Sequence, residues 1–324
     1  MLAIVAESAD RLIWQEVPDV SPGPGEVLIK VITAGVNRAD LLQAAGHYPP
    51  PPGASDIIGL EVSGVIEALG DGVSEWVAGQ EVCALLAGGG YAQYVAVPAR
   101  QVMPLPPGIS VSDAAALPEV ACTVWSNIVM TAHLAAGEVL LIHGGASGIG
   151  THAIQVAKAL GNRIAVTAGS QSKLELCREL GADELISYRD EDFVAHVNNA
   201  TGGANVIFDI MGAAYLDRNL DALAPDGRLV IIGMQGGVKA ELNIAKMVGK
   251  RLHVIATSLR GRPVDGANGK GAIVDAVVAS VWPMIGDGRV RPIIGARFPI
   301  TEAGEAHRVL ASGETYGKVL LSLD

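Results

Sequence analysis

At 324 residues, half of them hydrophobic and 18% charged, the chain has material for two domains with large buried cores, which excludes a disordered or low-complexity protein. A formal charge of −11 with no dense Lys/Arg cluster gives no general attraction to nucleic acid or to anionic membranes. The three cysteines, Cys83, Cys122 and Cys177, are odd in number, widely spaced and lack a C-x-x-C pair, so neither a disulfide framework nor a structural zinc lobe is indicated.

The start, Met1-Leu2-Ala3-Ile4-Val5, has no basic stretch followed by a long apolar core, and no run of about 18 apolar residues occurs, so a cytoplasmic, unanchored protein is expected. As far as about Ala121 the pattern is short strands cut by Gly and Pro: 27–31 after the turn cluster 21–26, then 62–69, 82–86 and 91–97. Between the first of these and 62–69 lie Val36-Asn37-Arg38-Ala39-Asp40, where a helix is expected from about Arg38, and Gly46-His47-Tyr48. Prolines 49–52 follow and force an extended loop.

From about Cys122 strands and helices alternate. The run Leu140-Leu141-Ile142-His143 meets a turn, Gly144-Gly145-Ala146-Ser147-Gly148-Ile149-Gly150, and Ile149, Ala153, Ile154 and Ala157 then mark one face of a helix. Strands are expected at 163–167, 184–187, 206–210, 228–232 and 252–256, and helices at 172–180, 190–199, 215–223 and 242–248. Strict alternation implies α/β architecture, a Rossmann-type doubly wound parallel sheet over 122–263. Residues 260–270 read as a polar loop, 273–285 as a helix and 317–322 as a strand. That last strand is expected to rejoin the mostly-β part, so that the domains are 1–121 plus 264–324 around the insert.

Unpaired N–H groups and the positive dipole end at the start of the helix after His143 suit a pyrophosphate. The window from Gly145 to Gly150 departs from G-x-G-x-x-G, with Ser147 in place of the second glycine, and a tight turn without ligand is the competing reading. About 20 residues on, where NAD enzymes carry an acid for the ribose hydroxyls, the chain reads Val166-Thr167-Ala168-Gly169-Ser170-Gln171-Ser172-Lys173, with no carboxylate. Ser170 and Lys173, with Tyr188 from the next strand end, can instead receive a 2′-phosphate; alternatively Ser170 only caps a helix and Lys173 is solvated. The segments Gly233-Met234-Gln235-Gly236-Gly237 and Ser258-Leu259 follow strand ends, the edge where doubly wound sheets bind ligands, and are expected at the nicotinamide half. Asp209 and Glu61 read as structural, Cys122 as a small buried apolar side chain, and His143 as a strand-end residue beside the turn.

The arrangement resembles the medium-chain dehydrogenase/reductase superfamily, and within it the zinc-free quinone oxidoreductases of the p53-inducible type. The likeness rests on the segments 36–40 and 46–48, on Gly59-Leu60-Glu61-Val62-Ser63-Gly64-Val65-Ile66, on Gly89-Gly90-Tyr91-Ala92-Gln93-Tyr94, on 143–151 and 167–170, and on Gly317-Lys318-Val319. It implies a GroES-like catalytic domain around the Rossmann insert, NADPH held at Ser170, Lys173 and Tyr188, and further cofactor residues at Tyr48, Thr123, Gly145, Ser147, Gly148, Ile149, Gly150, Met211, Gly233, Met234, Gln235, Ser258, Leu259 and Lys318. The zinc alcohol dehydrogenases of the superfamily carry a cysteine where Asn37 stands and a histidine where Leu60 stands, and loss of two of three ligands leaves no catalytic zinc site. Without a metal to stabilise an alkoxide, an activated acceptor such as a quinone is favoured over an alcohol. Asn37 and Tyr48 are then placed against the acceptor's oxygens, with helix capping and a pocket-wall role as the alternatives. The resemblance also implies a homodimer through the edge strand 252–256. Two other functions remain open at this point: zinc-free reduction of an enone or enoyl thioester, and an NADPH-binding structural or redox-sensing protein.

Overall fold

The computed structural model describes residues 1–323. The chain forms two compact units: the first comprises Met1–Cys122, Leu259–Gly288 and the segment from Pro292 on, the second Thr123–Ser258 with Arg289–Arg291. The second divide thus falls at Ser258/Leu259, ahead of the expected 263/264. The physical reason is Arg260, whose guanidinium donates to Ala87 O (2.8 Å), Tyr48 O (3.2 Å) and Gln43 Oε1 (2.7 Å), all in the first unit.

The second unit is a six-stranded parallel sheet. Across it run Glu184–Ser187, Arg163–Ala168, Val139–His143, Ala204–Asp209, Leu223–Ile231 and His253–Ala256, which is 3-2-1-4-5-6 in chain order, the doubly wound pattern. Val139–His143 is buried along its whole length, as a central parallel strand covered on both faces must be. Leu141, Ala165, Ile207 and Leu229 form the centre of the core beneath the helices. This order brings the strand ends at His143, Ala168, Ser187, Asp209, Ile231 and Ala256 to one edge of the sheet.

The first unit is mostly β. One sheet runs Ile294–Pro299, Lys318–Ser322, Glu26–Val36, Glu61–Leu69, Glu81–Leu85, Val102–Pro104, with Tyr94–Pro98 also paired to Glu26–Val36. The C-terminal strand does return here, Val319 opposite Val36 in antiparallel register. Elements with no counterpart in the sequence reading include the hairpin of Leu2–Ser8 and Arg11–Glu16, the strands Val102–Pro104 and Ile294–Pro299, the helices Val111–Ala114 and Ala303–Ser312, and the helical run Pro118–Val124 that continues into a π-helical turn at Trp125–Thr131. Among the described residues no helix is long and apolar enough to cross a membrane.

Candidate functional site

The turn after His143 is built from glycine where nothing else fits. Gly144 has φ +74°, and a Cβ on Gly145 would lie 2.8 Å from Val166 Cβ and 3.0 Å from Cys177 Sγ. A Cβ on Gly150 would run into the carbonyl oxygen of Gly144. Ser147 is the N-cap of the helix Gly148–Ala159: its hydroxyl accepts from Gly150 N (3.0 Å) and donates to Gly144 O (2.7 Å). Its one hydrogen is therefore used inside the turn, and Ser147, expected among the cofactor residues, has no hydroxyl hydrogen left to donate to a ligand. What faces outward instead is the positive helix end, where the N–H groups of Gly148 and Ile149 have no acceptor among the described residues.

His143 does more than end a strand. It lies edge-on to Phe193 and Tyr215, ring centroids 4.8 and 4.9 Å away, with Nε2 2.8 Å from Asn219 Oδ1 and Nδ1 3.2 Å from Thr167 Oγ1. Because the Asn219 oxygen accepts, Nε2 carries the hydrogen and Nδ1 takes one from the threonine hydroxyl. Thr167 Oγ1 in turn accepts from Gly144 N (3.3 Å), so the ring braces the glycine turn from behind. Burial pushes its pKa down to about 4, which keeps it neutral and the bond pattern constant at physiological pH.

At the neighbouring strand ends, Ser170 caps the helix Gln171–Glu179 by accepting from Lys173 N (3.4 Å) and lies 3.2 Å from Ser172 Oγ. Tyr188 follows the strand Glu184–Ser187, donates from its backbone to Ala168 O (3.2 Å), and is half-exposed. Its hydroxyl fills the space a Cβ on Gly169 would need, so Gly169, Ser170, Lys173 and Tyr188 come together at one corner of the sheet. The capping role of Ser170 and its availability to a phosphate are compatible, since a hydroxyl retains a donor after accepting.

Farther along the same edge, the buried Asp209 accepts from Met211 N (2.8 Å) and Gly212 N (2.9 Å), and burial raises its pKa to about 6. A Cβ on Gly233 would lie 2.7 Å from Ile210 O; Gln235 N donates to Ile210 O (3.1 Å), and Met234 stands largely exposed. Thr123 and Ser258 close the second unit at its two ends. Asn127 in the π-helical turn ties Thr123 to Thr257, the neighbour of Ser258: it donates to Thr123 O (2.8 Å) and accepts from the hydroxyl of Thr257. A π-turn places side chains where a regular helix would not and often marks a functional site. Leu259 belongs to the first unit.

In the first unit Asn37 stands at the N-cap position of the helix Arg38–Ala44, and its backbone N–H donates to Asp40 Oδ2 (2.7 Å). Its side chain turns elsewhere. Nδ2 donates to Glu61 Oε1 (2.8 Å), and Oδ1 accepts from Lys318 Nζ (2.7 Å). Lys318 also donates to Glu61 Oε1 (2.5 Å) and Val36 O (3.0 Å), so its three donors are all engaged and it belongs to Asn37 rather than to the cofactor residues where it was expected. Glu61 is fully buried; its other oxygen accepts from Glu119 N (2.9 Å). A second branch runs from Asp40 Oδ2 to the Tyr91 hydroxyl (3.2 Å) and on to His307 Nε2 (3.2 Å), with burial raising Asp40 to about 7. Tyr48 is held by Arg260, whose guanidinium lies 5.2 Å from the ring centroid and bonds its carbonyl.

A parallel sheet in 3-2-1-4-5-6 order with a glycine turn opening onto a helix N-terminus, inserted in a β unit with a buried polar cluster, defines a dinucleotide-dependent oxidoreductase architecture. Residues 148–268 match the family model of zinc-binding dehydrogenases and residues 23–107 that of the alcohol dehydrogenase GroES-like domain. The rat quinone oxidoreductase is 29% identical over 307 residues, spanning 94% of this chain and 91% of that protein. A 2-haloacrylate reductase of Burkholderia is 29% identical, spanning 96% and 95%. The solved Escherichia coli quinone oxidoreductase complexed with NADPH has a TM-score of 0.89 at 27% identity, covering 99% of this chain and all of that one. The chain belongs to the medium-chain dehydrogenase/reductase superfamily, in its quinone oxidoreductase-like family.

Replacing Lys318 with Met leaves the Glu61 carboxylate buried without its cation, and a loss of about 3–5 kcal/mol is expected; urea unfolding of the two proteins checks it, and a loss under about 1 kcal/mol would mean the pair is not the clamp described. His143 yields a pH signature. Its folded pKa of about 4 lies below its ordinary 6.5, so between these values the unfolded chain binds the extra proton and stability falls as pH falls. Between pH 7 and pH 4.5 wild type should lose about 2 kcal/mol more than His143→Gln, a difference from which the raised Asp40 and Asp209, acting with opposite sign, cancel.

Proposed function

We propose that this protein is an NADPH-dependent quinone reductase that works without a metal, as a cytoplasmic homodimer. The observation that carries the reading is the cation already built into the first unit. Lys318 occupies the position between Asn37 Oδ1 and Glu61 Oε1, and an ammonium there repels a dication. Among the described residues no three His, Cys, Asp or Glu side chains gather around one point. The residue set therefore does not fit a catalytic zinc, whose tetrahedral site needs three such ligands. What the cluster does offer an acceptor is the second Nδ2 hydrogen of Asn37, with the amide orientation fixed by its two partners. One neutral donor suits an acceptor that delocalises incoming charge over its own ring, which a quinone does and a simple alcohol–ketone pair does not.

The second unit fits NADPH: the cradle at Gly145 and Gly150 admits backbone but no side chain, and the corner at Gly169 carries donors and a cation without an acid. Gly148 and Ile149 would hold the pyrophosphate by backbone N–H, and Ser170, Lys173 and Tyr188 the 2′-phosphate. Thr123, Met211, Gly233, Met234, Gln235, Ser258 and Leu259 would border the nicotinamide half. When bound, NADPH supplies the hydride. Asn37 and Tyr48 orient the acceptor, and the packing of Tyr48 beneath Arg260 restricts its motion.

Reduction of an activated C=C bond is the second reading, favoured by the likeness to the 2-haloacrylate reductase. Three further features support the coarser parts of the proposal. The cysteines are free thiols and buried, which suits a reducing compartment. The edge strand His253–Ala256 pairs on one side, and the adjacent helix Ile244–Lys250 buries none of its residues, with Ile244 and Val248 65% and 72% exposed. A second copy covering this face would account for both.

NADPH oxidation followed by absorbance, with a quinone or an enone as acceptor and a chelator present, separates the readings. Turnover with the quinone that survives chelation is expected; turnover with the enone alone would replace the lead reading, and none with either would leave a binding protein. For the cofactor, Lys173→Glu should raise KM for NADPH at least about tenfold while NADH changes little, the loss of one charge-assisted contact. Equal losses for both would remove Lys173 from the phosphate site.

A further inference from the structure

The segment 260–270, read from sequence as a polar loop, buries two cations. Arg260 and Lys270 each keep only 5% of their surface exposed. Arg260 donates to two backbone carbonyls and one side-chain amide, none of them charged. The Lys270 ammonium has no hydrogen-bond partner among the described residues; the charges that reach it are Glu119, which attracts, and Arg260, which repels. Burial pulls its pKa down. An ammonium on a side chain with so little contact with water and no hydrogen bond of its own is left without a compensating charge. A chain that keeps this ammonium unbonded within reach of the Arg260 charge holds a place for an anion, and perturbed, desolvated charges of this kind gather at binding sites. Lys270 also opens the helix Lys270–Gly286, whose dipole adds positive potential at the same point.

We propose that Lys270 and Arg260 form an anion subsite that binds a carboxylate substituent of the acceptor. The assignment to the acceptor rests on reading Tyr48 as an acceptor-facing residue, because Arg260 lies over the Tyr48 ring and bonds its carbonyl. The phosphate-binding elements lie on the other unit, so the cofactor's phosphates already have their own donors. The pair supplies an ammonium and the guanidinium N–H groups left over after three bonds, enough to neutralise one carboxylate.

The test uses a quinone carrying a carboxylate and its methyl ester, in wild type, Lys270→Met and Lys270→Arg. Because intrinsic reactivity cancels between proteins, the quantity read is the change in the acid-to-ester ratio of kcat/KM. That ratio should fall at least tenfold in Lys270→Met and largely return in Lys270→Arg. Calorimetric titration of the NADPH-loaded proteins with benzoate and benzamide gives a readout that needs no turnover: benzoate should bind wild type at least tenfold more tightly than Lys270→Met, and benzamide should not discriminate. Without ligand, Lys270→Met should melt at the same temperature as wild type or higher, since an uncompensated buried charge is removed. An unchanged ratio, a rise in KM for NADPH in place of the acceptor effect, or a lowered melting temperature with equal loss on both acceptors would overturn the subsite. If neither acceptor is turned over, the quinone reading fails separately and the benzoate titration alone decides.

Discussion

The carboxylate of Glu61 is the point on which the first unit depends. It gathers Asn37 Nδ2, the Lys318 ammonium and the backbone N–H of Glu119, which are drawn from three other stretches of chain, up to 257 residues away from it. Gly35 makes this possible, since a Cβ there would meet the Glu61 carboxylate and Ala115 O. A fully buried carboxylate is tolerated only with such company. The return of the C-terminal strand beside Val36 is thus more than sheet completion: it delivers the one cation that Glu61 requires. The same Glu61–Lys318 pair also orients the Asn37 amide, Glu61 accepting from its Nδ2 and Lys318 donating to its Oδ1.

The second unit solves a related problem with a neutral device. A phosphate-binding turn must present backbone N–H groups without a side chain in the way, and glycine gives that geometry at the expense of stiffness. The chain restores stiffness through Ser147 inside the turn and the Asn219–His143–Thr167 series behind it. The histidine serves because its burial, in contact with two aromatic rings, keeps it uncharged, so no positive charge at this position varies with physiological pH.

Much of this was readable in the sequence, for reasons that are local. Alternating apolar runs and turn residues report the parallel sheet, and the glycines at 144, 145 and 150 report the turn, because backbone sterics act over a few residues. Side-chain pairing is not local. Nothing near Lys318 in sequence points to Asn37 and Glu61, and the three were expected in separate roles. That the Ser147 hydroxyl is spent inside the turn follows only from its two partners, Gly144 O and Gly150 N. The segment after Ser258 is rich in Arg, Lys and Gly, and composition assigns such a stretch to solvent; Arg260 and Lys270 lie inside because neighbouring carbonyls and an aromatic ring receive one of them. The π-turn at Trp125–Thr131 carries no periodic signal that distinguishes it from an ordinary helix.

The contact between Gly169 and Tyr188 bears on how such a chain can evolve. The tyrosine hydroxyl stands where any side chain at 169 would begin. A carboxylate can be introduced at position 169 only if Tyr188 first moves or is lost. If Tyr188 holds the 2′-phosphate as proposed, an acid at position 169 takes two changes: the intermediate with one change has lost a phosphate donor without gaining a ribose acceptor, or has gained the acid against a steric clash. Positions 169 and 188, which follow two neighbouring strands, are thus coupled by packing, so that a substitution at one is constrained by the residue at the other.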